Sequence, residues 1–104
     1  MRKAEISVNG RPAGLLEETK PGRAYRFAYH AHYSGEPISL TMPVQGREYV
    51  FDRFPPFFDG LLPEGLMLES LLKKRKLDRR DLFGQLVTVG ADLVGAVTVR
   101  EIET

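Results

Sequence analysis

The sequence contains no cysteine. Disulfides, thiolate metal ligands and thiol nucleophiles are therefore excluded, and the composition fits a reducing compartment. Its longest apolar run is also much shorter than the roughly 20 residues that a membrane-spanning helix needs. Residues 1–10 lack the apolar core and the small-residue cleavage site of a signal peptide. Together these absences predict a cytoplasmic protein with no membrane contact.

An excess of charge of one sign is lacking as well. The 15 Lys and Arg residues nearly balance the 14 Asp and Glu residues, which leaves a net charge of +1. No field of the whole molecule therefore attracts nucleic acid or an anionic membrane, and such a partner would need a local patch. The length of 104 residues and the hydrophobic content of 42% are typical of one globular domain, here residues 1–104.

Motifs that hold nucleotides are also missing. The chain has neither a G-x-x-x-x-G-K-[ST] loop nor a G-x-G-x-x-G turn. It has no H-R-D-like or D-F-G-like loop, which kinases need for the catalytic base and the Mg²⁺ ligands. Asp52 and Asp59 lie near a proline-rich segment and are more simply turn formers. The sequence thus predicts a protein that is not an enzyme and has no cofactor.

His30 and His32 are the two histidines of the chain. Their spacing places both imidazoles on one face of a strand, where they could bind a metal. A third histidine, a cysteine and a carboxylate at a suitable spacing are all missing. We therefore predict a solvated strand face and no metal site.

Alternating apolar residues predict four strands in the first half of the chain. The first covers residues 3–8, and Asn9-Gly10 then offers the positive φ angles of a tight hairpin turn before a second strand over residues 11–17. The third covers residues 25–31, and the fourth covers residues 38–42.

Helical patterns dominate the second half. Residues 64–76 carry apolar side chains at helical spacing, and Asp78 is predicted to cap a second helix that ends at Gly90. Residues 93–99 are β-branched and predict a final strand. The order β-β-β-β-α-α-β predicts an α+β domain, with an antiparallel sheet of about five strands and two helices packed as one layer.

One concentrated basic patch lies between the predicted helices. It has six cations in eight positions, namely Lys73, Lys74, Arg75, Lys76, Arg79 and Arg80. The first four lie at the end of the first predicted helix, where the helix dipole interacts favourably with cations. The last two are not explained in this way and are a candidate phosphate or nucleic-acid contact. No aromatic residue is interleaved with the patch, so direct nucleic-acid contact is the weaker reading.

The most distinctive segment is the connector, residues 54–65, with the sequence Phe-Pro-Pro-Phe-Phe-Asp-Gly-Leu-Leu-Pro-Glu-Gly. Its prolines disfavour an interior helix or central strand, and its apolar side chains predict partial burial. A rigid apolar loop is also a docking surface of low entropy cost. Leu66 adds an apolar side chain on the polar side of the following helix. We predict partner binding by Phe57, Phe58, Leu62, Pro63, Glu64, Gly65 and Leu66.

The connector, the D-x-x-D-L-F string from Asp78 and the V-G-A-D-x-V-G-A-V string from Val89 make the chain similar to the N-terminal subdomain of HipA-family serine/threonine kinases. In that family this subdomain packs on the kinase, and the catalytic residues lie elsewhere. The resemblance implies a stand-alone, HipS-like antitoxin that binds and inhibits a HipA-like kinase toxin. A helix-turn-helix DNA-binding protein is a further implied component of the complex. Two alternatives remain: the regulatory N-terminal module of an intact HipA kinase, and a nucleic-acid-binding protein that uses the basic patch.

Overall fold

The computed structural model describes residues 1–102, which form one antiparallel sheet and three short helices. The strands and helices are β1 (Arg2–Val8), β2 (Arg11–Lys20), β3 (Ala24–Tyr29), β4 (Glu48–Phe51), α1 (Pro56–Asp59), α2 (Gly65–Arg75), α3 (Leu82–Val89) and β5 (Val97–Ile102). The spatial order of the strands is β4-β3-β2-β1-β5, so the last strand pairs with the first. The α+β class and the order of elements are confirmed. α1 is an additional single turn within the connector.

The first hairpin forms where the local sequence predicts it. Asn9 and Gly10 have φ angles of 50° and 82°, which is the backbone that a tight turn between twisted strands requires. β1 then places Ala4, Ile6 and Val8 on the buried face of the sheet. Period-2 alternation is therefore a correct guide here.

The fourth strand lies later than predicted. Residues 38–42 form only an isolated bridge between Ser39 and Met42, and Leu40 is 94% exposed. The hydroxyl of Tyr29 accepts from the Ile38 N–H and donates to the Met42 carbonyl, so a tertiary contact holds this segment as a loop. Residues 38–42 alternate because Ile38 and Met42 are buried and anchor the loop, not because the segment pairs as a strand.

The predicted N-cap of the last helix is also wrong. Asp81 is the N-cap of α3, and its carboxylate accepts from the Gly84 N–H at 3.0 Å. The predicted cap, Asp78, instead accepts from the Arg80 N–H in a preceding turn. Asp and Asn side chains stabilise both geometries, so composition alone does not separate the two positions. The buried amide of Gln85 donates to the carbonyls of this turn and fixes it in place.

The core lies between one face of the sheet and the segments that carry the helices. Its large, fully buried apolar side chains include Ile6, Leu16, Phe27, Phe58, Phe83 and Leu86. α3 ends at Gly90 as predicted. The final strand begins at residue 97, not at residue 93, because residues 90–96 form turns beside the end of α3. No helix in the described part of the chain is both long and apolar enough to cross a membrane.

Candidate partner-binding site

The connector is held to the sheet by aromatic packing. Pro56 begins α1, a position where its missing N–H costs nothing. Phe54 meets the ring of Tyr25 edge-on at 5.3 Å, and Phe58 lies 6.3 Å from the ring of Phe27. The prediction of a partly buried connector is confirmed. These contacts make the connector a fixed platform for the residues that follow it.

The structure divides the predicted binding residues into a buried set and an exposed set. Phe58 is fully buried and Leu62 is 9% exposed, so both support the surface from beneath. The inclusion of Phe58 among surface residues is therefore corrected: its ring fills the core because the connector packs against the sheet. Phe57 and Pro63 are half-buried, whereas Glu64, Gly65 and Leu66 are exposed.

A sharp turn at Gly65 starts α2 and presents two apolar side chains to solvent. Gly65 has a φ of +59°, which a residue with a side chain adopts only with strain. Leu66 is 88% exposed and Met67 is 74% exposed. No side chain of α2 is buried; Leu68 and Leu71 are only half-buried. On the predicted apolar face of this helix, Met67 is therefore exposed, whereas the three leucines at positions 68, 71 and 72 are half-buried.

We call residues 62–66, which include the turn at Gly65, the corner. An open groove of about 600 Å³ lies beside it. One wall includes Leu61, Leu62, Pro63 and Met67, and the other includes Leu93 and Val94 from the turns after α3. Sequence reasoning missed this second wall, since it assigned residues 93–99 to a strand. The glycines at positions 90 and 95 were the available signal, because two glycines so close together indicate a loop.

The basic patch lies at the far end of α2. Lys73, Lys74 and Arg75 occupy its last turn and are exposed, where they complement the helix dipole. Arg79, which follows α2, forms an ion pair with Glu69 on that helix. One of the two arginines that the dipole did not explain therefore has a partner within the molecule. Nucleic-acid binding by the rest of the patch stays a prediction.

The two histidines do not share a strand face, because β3 ends at Tyr29. His30 instead contacts Glu5 on β1, with Nε2 2.6 Å from the carboxylate. His32 lies in a turn and is exposed. Within residues 1–102, no group of three or more His, Asp or Glu side chains is arranged to hold a metal ion.

The most buried charge, Glu18, is part of an ion cluster that joins the sheet to α3. Arg2 donates to Glu18 and to Asp81, with 2.8 Å contacts to each carboxylate. Burial favours a higher pKa for Glu18, but hydrogen bonds from Arg2 and from the Gly22 N–H outweigh it, and the pKa is lowered. The hydrogen bond from Arg2 likewise lowers the pKa of Asp81. Both carboxylates therefore have partners, and the cluster links β1 and β2 to the N-terminus of α3.

The fold is thus an α+β domain that leaves the apolar side chains of Leu66 and Met67 exposed at the start of α2. The sequence profile of the HipA N-terminal domain matches residues 4–100. The chain belongs to this family. An uncharacterized protein of Haemophilus influenzae is 31% identical over 101 residues, which cover 97% of this chain and 93% of that protein. A solved structure titled "N-terminal domain of HipA toxin" superposes with a TM-score of 0.78 at 28% identity, covering 100% of this chain and 95% of that one.

Proposed function

We propose that this protein is a non-catalytic antitoxin that binds and inhibits a HipA-type serine/threonine kinase. The observation that carries the proposal is the match to the HipA N-terminal domain over nearly the whole chain. The match with this chain also covers 93% of the Haemophilus relative, so a protein of nearly the same length supports a function as a separate chain. The protein would act in the cytoplasm together with its kinase.

The binding surface that we propose is the corner without its buried Leu62, namely the half-buried Pro63 and the exposed Glu64, Gly65 and Leu66. Its support is the combination of a fixed backbone and an uncovered apolar side chain. A preorganised surface loses little conformational entropy on binding. Contact there would restrain the kinase in one of two ways, by blocking closure around ATP or by holding its N-terminal lobe in an inactive position.

Leu66→Asp tests this surface against a matched control, Leu40→Asp. Both side chains are almost fully exposed, at 88% and 94%, so each substitution should change the free energy of unfolding by less than about 0.5 kcal/mol. Leu66→Asp should weaken the complex with the kinase of the neighbouring reading frame by about 2 kcal/mol, roughly 30-fold in Kd. Leu40→Asp should leave Kd unchanged. The measurements are calorimetric titration and thermal melting of the same samples.

Three results would count against the proposal in different ways. Equal affinity of the two variants would remove Leu66 from the interface. Failure of the wild-type protein to bind the kinase, or to rescue growth when co-expressed with it, would refute the antitoxin function. Absence of a helix-turn-helix protein from the purified complex would remove that component only.

The alternative function is that of a regulatory module within a HipA kinase. Its support is the superposition on a structure whose title places the domain in the toxin itself. The two functions differ in one measurable respect, since a module of the toxin should sustain kinase activity when joined to the catalytic part. An antitoxin should suppress that activity when added as a separate chain.

A further inference from the structure

The groove beside the corner gathers several of the apolar side chains that the molecule leaves in solvent. Met67 and Val94, one from each wall, are 74% and 93% exposed. The exposed Leu66 precedes Met67 in the chain, directly after the turn at Gly65. Single exposed apolar residues are common on protein surfaces, whereas a rimmed group of them marks a binding site. The volume of about 600 Å³ is large enough for several side chains of a partner.

The helix that forms one wall contains half-buried leucines but no buried side chain. α2 has eleven residues, none of which is buried. Isolated helices of this length are marginal in water, and most of their stability in proteins comes from packing of an apolar face. A partner seated on Met67 would supply part of this packing. The geometry therefore indicates an occupant that is itself apolar.

The charges of the groove restrict the occupant further. Asp92 is the one charged residue of its lining, which contains no Lys or Arg. Glu64 lies next to the wall residue Pro63 in the chain. Neither carboxylate is in an ion pair with another residue of the range 1–102. An apolar segment that carries a cation is complementary to this groove, and an acidic segment is repelled.

We propose that the groove binds an apolar segment of the kinase, with a Lys or Arg side chain of that segment placed against Asp92. This inference rests on the proposed function and extends it, because it assigns the binding surface to both walls and states the chemistry of the kinase segment. Met67 and Val94 contact the apolar side chains. Asp92 sets the register of the segment through one charged contact.

Two variants and two matched controls test the inference with the intact kinase. Asp92→Lys should raise Kd by about tenfold or more, because it turns an attraction into a repulsion. Val94→Asp should raise it by a similar factor, since it puts a charge in an apolar wall. Asp52→Lys and Val50→Asp change an exposed acid and an exposed apolar residue outside the groove, and they should stay within about twofold of the wild type.

Ionic strength gives an independent readout of the charged contact. Wild-type affinity should fall as salt is raised from about 50 to 500 mM, because salt screens the pair at Asp92. With Asp92→Lys this fall should be absent or reversed. In the isotope-labelled protein, backbone amide signals of residues 60–67 and 89–94 should move on addition of the kinase, while those of residues 48–51 should not.

The outcomes separate this inference from the function on which it rests. Wild-type binding with unchanged affinity of both groove variants would overturn the inference and leave the antitoxin function standing. No wild-type binding would refute the function and the groove assignment together. If sedimentation shows self-association that Val94→Asp abolishes, while kinase affinity is unchanged, the occupant is a second copy of this chain and the inference is wrong.

Discussion

Replacement of Gly90 by alanine tests how closely α3 approaches the final strand. A Cβ atom at Gly90 would lie 2.0 Å from the carbonyl oxygen of Val99 and 2.7 Å from its carbonyl carbon. Atoms of this kind do not approach closer than about 3 Å, so the strand or the helix end must move by roughly 1 Å. The obstacle is backbone and cannot rotate away. Gly90 also accepts a 2.9 Å hydrogen bond from the Val99 N–H, which such a movement would break.

Gly60 provides the matched control. Both glycines have right-handed helical backbone, with φ of −56° at Gly90 and −64° at Gly60. Alanine fits this backbone and stabilises by about 0.4–1 kcal/mol by restricting the unfolded chain. At Gly60 the nearest atoms to the new methyl group are 3.5 Å away, an ordinary contact. Gly60→Ala should therefore be neutral or slightly stabilising.

The expected cost of Gly90→Ala combines three contributions. Overpacking costs about 1–3 kcal/mol, and the lost hydrogen bond costs about 0.5–1.5 kcal/mol. The entropic gain of about 0.4–1 kcal/mol offsets part of this. The net loss is about 0.5–4 kcal/mol, or at least about 2 °C in Tm for a domain of this size.

Urea unfolding followed by far-UV circular dichroism measures both variants against the wild type. An unchanged slope with a lower midpoint would show that the folded state itself is destabilised. If Gly90→Ala is as stable as Gly60→Ala, α3 does not pack against Val99 as described. The position of the turns at residues 90–96, and with it one wall of the groove, would then be wrong.

The core and its ion cluster give two more stability predictions, and the missing nucleotide motifs give one on activity. Phe83→Ala should lower the free energy of unfolding by about 3–5 kcal/mol, because the ring is fully buried beneath the Arg2 guanidinium; a loss below about 1 kcal/mol would contradict this packing. The pKa of Glu18 is lowered from its ordinary value of 4.5, so its stabilisation is present above pH 4.5 and is lost as pH falls through the lower folded-state pKa. Glu18→Gln should therefore flatten the decline of stability that occurs as the pH falls below 4.5, and an unaltered profile would refute the role of the cluster. With Mg²⁺-ATP and generic substrates the protein should show only background phosphate transfer; turnover that disappears in Asp52→Ala or Asp59→Ala would show that it is an enzyme.

Local patterns were sufficient for most of the sheet and for the family. The turn at Asn9-Gly10 and the alternation in β1 depend on residues close in the chain, so they can be read before any tertiary contact is known. The partial burial of the connector could be predicted because its prolines and phenylalanines lie within a few residues of each other.

Tertiary contacts decided the features that local patterns did not predict. The Tyr29 hydroxyl holds residues 38–42 as a loop, although their alternation resembles that of a strand. Phe58 is buried because the sheet lies beneath the connector, a contact that the connector's own sequence does not contain. The groove exists because turns at residues 90–96 lie beside Pro63 and Met67, about thirty positions earlier in the chain. Spacing along a sequence specifies the face of an element, but only packing determines which face remains uncovered.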